Sequence, residues 1–270
     1  MSSNAVTYAR IVHARGVAER SSRRAFFAVL GLVFAGSAVL TVRSCESMSA
    51  TGGMAMPGGW TMSMAWMRIP GQRWAGAAAS FLGMWMVMMV AMMLPSLAPV
   101  LWGYRQALGG LGAWRLNWLT ALVGAGYFAV WGGLGFVVFE VGGVAVEAEM
   151  RAPLLSRAIP TASVVVVLLA AALQLSGWKA HHLACWRDIS GWPAADPGAA
   201  WKRGLRLGFH CICGCAGWTA MLVVMGVMDL RVMAVVTAAI TMERLVPAGE
   251  RIRRTMGAVA IGVACCLWCG

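Results

Sequence analysis

Charge is what this sequence has least of. Lys, Arg, Asp and Glu make up 12% of its 270 residues, where a soluble domain carries roughly 25%. With 60% hydrophobic residues beside so little charge, the composition excludes a soluble globule and leaves a polytopic membrane protein as the expected class. Acidic residues are scarcest, 10 against 22 Lys and Arg. In a soluble chain that basic balance would point to nucleic acid. In a membrane chain it reads as the enrichment of cytoplasmic loops in Lys and Arg, so no nucleic-acid partner is expected. Also missing are a Gly-rich phosphate-binding loop, an internal repeat and any stretch polar enough for a separate soluble domain.

What is present comes as apolar runs at 25–42, 74–101, 118–141, 161–178, 207–228, 232–246 and 256–268. A helix needs about 20 residues to cross the hydrocarbon core, 17 at the short end. Five runs reach that length and the last two are short. The expected fold is therefore all-α, a transmembrane helical bundle of seven spans, with six as the alternative. Placing the N-terminus in the cytoplasm puts sixteen of the 22 basic residues on the inner side, as the positive-inside rule requires. The expected organisation is a basic N-terminal segment (1–24) before one transmembrane domain (25–270). That domain carries an outer loop at 43–73 and an inner loop at 179–206. The first run follows a long basic leader and reads as an uncleaved anchor rather than a signal peptide. Glycines in "GAGYFAVWGGLG" fit close helix packing.

Methionine is abundant, 20 residues. The outer loop reads "SMSATGGMAMPGGWTMSMAWM" and holds two Met-x-Met pairs, Met54 with Met56 and Met62 with Met64. Thioethers are soft, neutral donors that favour Cu(I) over zinc or magnesium, and alternate residues of an extended chain share one side. The plainer reading is gap-filling by a flexible side chain. The second run continues with "MWMVMMVAMMLPSLAP". There Met84 and Met88, Met88 and Met92, and Met89 and Met93 pair at i, i+4, while Met86 spreads the set too far round a helix to face one site. Pro95 frees the carbonyl of Ala91 just beyond the Met92–Met93 pair.

Thiols and imidazoles concentrate in the second half. "GFHCICGCAGW" holds His210, Cys211, Cys213 and Cys215. In a regular helix Cys211 and Cys215 lie within about 40° of each other and Cys213 points away. A locally extended segment turning at Gly214 would instead put all three thiols on one side. "WKAHHLACWRD" holds His181, His182 and Cys185, which a helical turn would bring together. Both clusters fall on the expected cytoplasmic side, where thiols stay reduced and metal binding is favoured over disulfides. Zinc accepts the same donors as copper. A lone buried cysteine, by contrast, is ordinarily a small hydrophobe. The ending "CCLWC" gives Cys266 and Cys269 a CxxC spacing with no redox domain around it. Glu243 is a candidate proton or cation ligand, or half of an ion pair near a helix end. Arg244 is expected to snorkel to the inner interface. Asp229 reads as a helix cap.

These motifs together resemble a bacterial family of metal-binding integral membrane proteins, a domain of unknown function sometimes labelled copper chaperone. The resemblance rests on "MMVAMMLPSLAP" (88–99), the stretch Lys179 to Cys185, and "CICGCAGWTAMLVVMGVMDL" (211–230) followed by Glu243-Arg244. It covers roughly residues 75–265. The more frequent family pattern sets adjacent cysteines directly before tryptophan, whereas here Ala216 and Gly217 separate Cys215 from Trp218. The resemblance implies metal handling, with copper as the metal.

The sequence thus leads to a metal-binding protein of the bacterial inner membrane. It handles Cu(I), with zinc as the alternative, for transfer, transport or delivery to a cuproenzyme. Membrane lipid and copper donor or acceptor proteins are the expected partners, and no catalytic residue is assigned. The expected ligands are His210, Cys211, Cys213, Cys215, His181, His182, Cys185, Met88, Met89, Met92 and Met93, with outer capture by Met54, Met56, Met62 and Met64. The rival readings are a membrane thiol or metal-centred oxidoreductase and a structural subunit without metal.

Overall fold

The computed structural model describes residues 2–50, 54–55, 61–62, 73–187, 195–225, 229–245, 255 and 257–258. Among these residues the chain forms seven helices and one short strand pair. The helices are α1 (Ser2–Ala50), α2 (Trp74–Ala107), α3 (Ala113–Arg151), α4 (Pro153–Leu175), α5 (Gly177–Arg187), α6 (Pro197–Met225) and α7 (Leu230–Leu245). The strands β1 (Met54–Ala55) and β2 (Thr61–Met62) pair antiparallel, with Met54 opposite Met62.

Four helical stretches are long and apolar enough to cross a membrane: Glu19–Ser47, Trp74–Ala107, Ala113–Ala148 and Pro197–Val224. A fifth is a bent pair, Thr161–Leu175 with Gly177–Arg187, turned by 58° at one residue. The expectation of an all-helical chain with apolar spans is thus met, with four such spans, or five with the bent pair, among the described residues. The sixth run is a helix of only 16 residues, and the seventh lies outside the described residues. Large apolar side chains such as Leu32, Val137, Leu169 and Val235 are exposed, in keeping with helices long and apolar enough to cross a membrane.

Local chemistry sets the breaks. At the bend, the Ser176 hydroxyl donates to the carbonyl of Leu173 (2.7 Å) and accepts from the amide of Lys179 (3.3 Å). One side chain thereby closes α4 and caps α5. Asp196 caps α6 through the amide of Ala199. Asp229 caps α7 through the amides of Arg231 and Val232, as its position before an apolar run implied. Helix α1 runs on through residues 43–50, burying Cys45, while α5 and the first turns of α6 fill most of 179–206.

Helices α3 and α6 cross in backbone contact. A Cβ on Gly126 would stand 2.7 Å from the carbonyl oxygen of Trp201, and one on Gly204 would run into the carbonyl oxygen of Val123. Small residues at a crossing let two helices approach this closely. Gly217 does the same for α6 on α4, where a Cβ would lie 2.8 Å from the carbonyl oxygen of Ala170. The methionines of α2 fill the centre: Met88, Met89, Met92 and Met93 are all buried beside Trp85, Leu97, Tyr127 and Trp131. The Trp85 indole donates to the carbonyl of Trp131 across the α2–α3 contact (3.0 Å), which satisfies the one polar group of a fully buried ring.

Candidate metal centre

Helix α6 is regular through the cysteine-rich stretch, which decides between the two geometries left open by the sequence. Cys211 and Cys215, one turn apart, are buried on the inner face at 0% and 1% exposure. Cys213 lies round the helix and is only partly buried. The two inner thiols differ in role. The Cys215 thiol donates to the carbonyl of Cys211 (2.8 Å) and receives a long contact from the Thr219 hydroxyl (3.9 Å). The Cys211 sulfur instead gathers partners from three other helices.

From α2, the Met93 sulfur stands 4.0 Å from the Cys211 sulfur. From α3, the Tyr127 hydroxyl is 2.9 Å away. From α7, the Arg244 guanidinium donates to it at 2.9 Å. Arg244 also donates to the Ser96 hydroxyl (3.0 Å) and to the carbonyl of Cys211 (3.4 Å), and its guanidinium carbon lies 4.3 Å from the centre of the Trp186 ring. This overturns the expectation that Arg244 snorkels outward. It is 8% exposed, held by a sulfur, a hydroxyl and an aromatic face.

A second polar cluster lies beside the first. The Lys179 ammonium donates to both carboxylate oxygens of Glu243, at 2.9 and 2.7 Å, and to the side-chain oxygen of Gln174. The Trp218 indole donates to Glu243 as well (3.3 Å). Glu243 is thus one half of a buried ion pair, and its partner comes from α5 rather than from a neighbouring turn of α7. Both carboxylate oxygens are thus engaged by donors, from α5 and from α6.

The imidazoles divide. His181 meets Cys185 along α5 (Nε2 to Sγ, 3.6 Å), as the i, i+4 spacing implied. His182 turns from that pair to face His210 of α6, with the two Nδ1 atoms 2.9 Å apart. The adjacent residues His210 and Cys211 therefore serve different environments, a partly buried imidazole pair and a fully buried thiol. Among the described residues no three His, Cys, Asp or Glu side chains converge as a metal-holding group. Of the remaining candidates, Met88, Met89 and Met92 are buried in α2. Met54 and Met62 lie opposite each other in the strand pair, whereas Met56, Met64, Cys265, Cys266 and Cys269 lie outside the described residues.

A family model described as copper chaperone (PpoB2) matches residues 82–267. The chain belongs to this family. No curated protein and no solved structure matches it. The matched region holds Met93, Tyr127 and Arg244, which contact the Cys211 sulfur, while Met54, Met56, Met62 and Met64 precede it. The family name brings copper to a chain whose buried thiol already faces a thioether, a soft donor pair suited to that metal.

Sequence reasoning singled out Cys211 and Met93 but not Tyr127, Ser96, Trp186 or Arg244. One signal was available. Glu243 and Arg244 are consecutive opposite charges in an apolar run, and a charge in such a run faces the bundle interior far more often than lipid.

Proposed function

We propose that this protein handles Cu(I) within the membrane, receiving the ion and holding it for transfer on the Met93–Cys211 sulfur pair, with Cys215 as a further thiol. The 4.0 Å sulfur–sulfur separation carries this reading. Two sulfurs bound to one ion at about 2.3 Å and about 120° apart stand roughly 4.0 Å from each other. Copper is cargo here, and the donors suit it. Thiolate and thioether select Cu(I), whereas a structural zinc takes four donors. No three His, Cys, Asp or Glu side chains converge among the described residues, which favours the low-coordinate ion.

Around this centre the other sulfurs and imidazoles form a graded path. Met54, Met56, Met62 and Met64 capture the ion weakly, and Met88, Met89 and Met92 line the route along α2 towards Met93. The His182–His210 pair, with His181, Cys185 and Cys213, exchanges it with a protein partner at the other end. The setting is the bacterial inner membrane with the N-terminus in the cytoplasm. A copper donor or acceptor protein, or a membrane cuproenzyme, takes the ion.

The test is copper content by elemental mass spectrometry on the detergent-purified full chain after anaerobic Cu(I) loading. Near-stoichiometric copper in the wild type, lost in Cys211→Ser and weakened in Met93→Leu, is the expected result. Equal copper in wild type and Cys211→Ser would remove the buried thiol from the function.

A further inference from the structure

Cys211 and Met93 are enclosed, at 0% and 1% exposure, so an ion reaches or leaves their sulfurs only when some element moves. Helix α6 is locked in backbone contact, to α3 at Gly204 and Gly208 and to α4 at Gly217. Helix α5 is attached differently. It has 11 residues and leaves α4 at a bend of 58°. Its buried residues Lys179, His182 and Trp186 follow at i, i+3 and i+7, on one side of the helix. Lys179 reaches Glu243 of α7, and His182 reaches His210 of α6. The Trp186 ring lies against Tyr127 of α3 (centroids 5.7 Å apart) and against the Arg244 guanidinium (4.3 Å). Tyr127 and Arg244 each stand 2.9 Å from the Cys211 sulfur, so Trp186 covers the two polar partners of the thiol. The other side of α5, with Trp178, His181 and Ala184, is exposed.

We infer that α5 is a hinged lid over the Cys211 site, turning at Ser176–Gly177, and that its opening sets how fast an ion enters and leaves. The inference rests on the copper reading above for its cargo and adds the regulation of that site. Hinges are a few residues at the ends of elements that absorb a change in φ and ψ. Ser176 and Gly177 hold that position between two helices, and a Cβ on Gly177 would meet nothing within 4 Å. Close packing therefore does not account for the glycine. The ties that keep the lid shut are Lys179 to Glu243, His182 to His210 and Arg187 to the Glu243 carbonyl. All three are made by side chains of α5, and they part without unwinding any helix. A lid of this kind shields its site from solvent and makes exchange wait on its motion.

Two hinge variants of opposite effect test this, and neither touches the sulfurs. Gly177→Pro stiffens the closed geometry. Ser176 sits at φ −69° and ψ 149°, the region a residue before proline prefers, and the first residue of a helix accepts proline. Ser176→Gly loosens the hinge by removing the hydroxyl that serves both helices. The full metal-free chain in detergent is held with N-ethylmaleimide for hours, and Cys211 and Cys45 are followed by peptide mass spectrometry. Cys45, buried on α1, reports general unfolding. Cys211 should react slowly in the wild type, about two- to fivefold more slowly in Gly177→Pro and faster in Ser176→Gly, with Cys45 alike in all three. A Cys211 rate unchanged in either variant, no native reaction at Cys211 in any protein, or Cys45 moving in step with Cys211 overturns the lid. Cu(I) exchange with a soluble chelator should slow in Gly177→Pro by the same factor in both directions, leaving affinity unchanged. Labelling that follows the hinge while copper exchange does not overturns the lid's control of the ion. A wild type that takes up no Cu(I) overturns the copper reading itself, and the labelling then decides the lid alone.

Discussion

The ammonium of Lys179 on α5 sits between both carboxylate oxygens of Glu243 on α7, at 2.9 and 2.7 Å, with each residue 3% exposed. This contact ties the short helix beyond the Ser176 bend to the helix that delivers Arg244. Removing one partner strands a buried charge, at a cost of about 3–5 kcal/mol. Removing both leaves a hole but no charge. Lys179→Met and Glu243→Gln should each lower the thermal midpoint in detergent markedly, and the double variant should recover part of the loss. A double variant as unstable as the sum of the singles would mean that the two side chains act independently.

The α3–α6 crossing predicts a sharp dependence on side-chain size. A Cβ on Gly204 would run into the backbone of Val123, so Gly204→Leu must force the helices apart. Tyr127 and Cys211 lie on the two sides of this crossing, 2.9 Å apart. The variant should lose Cu(I) affinity by roughly tenfold or more, since displacement of about 1 Å at a built site is enough for such losses. Chelator competition would measure it. Wild-type affinity in a stably folded Gly204→Leu protein would show that the crossing does not position the thiol.

Thiol reactivity should follow burial. Cys211 and Cys215 are enclosed, whereas Cys185 and Cys213 are partly open. Brief maleimide treatment of the native protein, mapped by peptide mass spectrometry, should modify Cys185 and Cys213 first. Reaction at Cys211 should become comparable only after denaturation. Equal native rates at Cys211 and Cys213 would contradict the helical geometry that sends them to different faces.

Much of this arrangement was readable from local spacing. The helical one of two readings left open put Cys211 and Cys215 on one face and turned Cys213 away, and the i, i+4 relation paired His181 with Cys185, although His182, expected to join them, faces His210 instead. The position of Asp229 before an apolar run marked the start of α7. These readings held because a helix fixes angles over one turn irrespective of what surrounds it. The partners across helices were not readable. Nothing in the spacing of Tyr127, Met93 or Arg244 brings them to Cys211, since that depends on how α2, α3, α6 and α7 cross. Arg244 was misread for a related reason. Its place near a helix end favours an interfacial cation, and only the packing of Trp186 and Ser96 around it reverses that preference. The bend at Ser176 was hidden because a continuous apolar run carries no mark of a capping hydroxyl that serves two helices at once.

Helix α7 has its start fixed by Asp229 and its end engaged by two consecutive residues that reach in different directions, Glu243 to Lys179 and Arg244 to Cys211. Each added helical residue turns everything beyond it by about 100° and advances it by about 1.5 Å. Inserting or deleting one residue between the cap and Glu243 would therefore swing both side chains off their partners together. The outward-facing positions of this helix are free to vary in identity, but its residue count is fixed, so members that share this site can be expected to differ by substitution here and not by length.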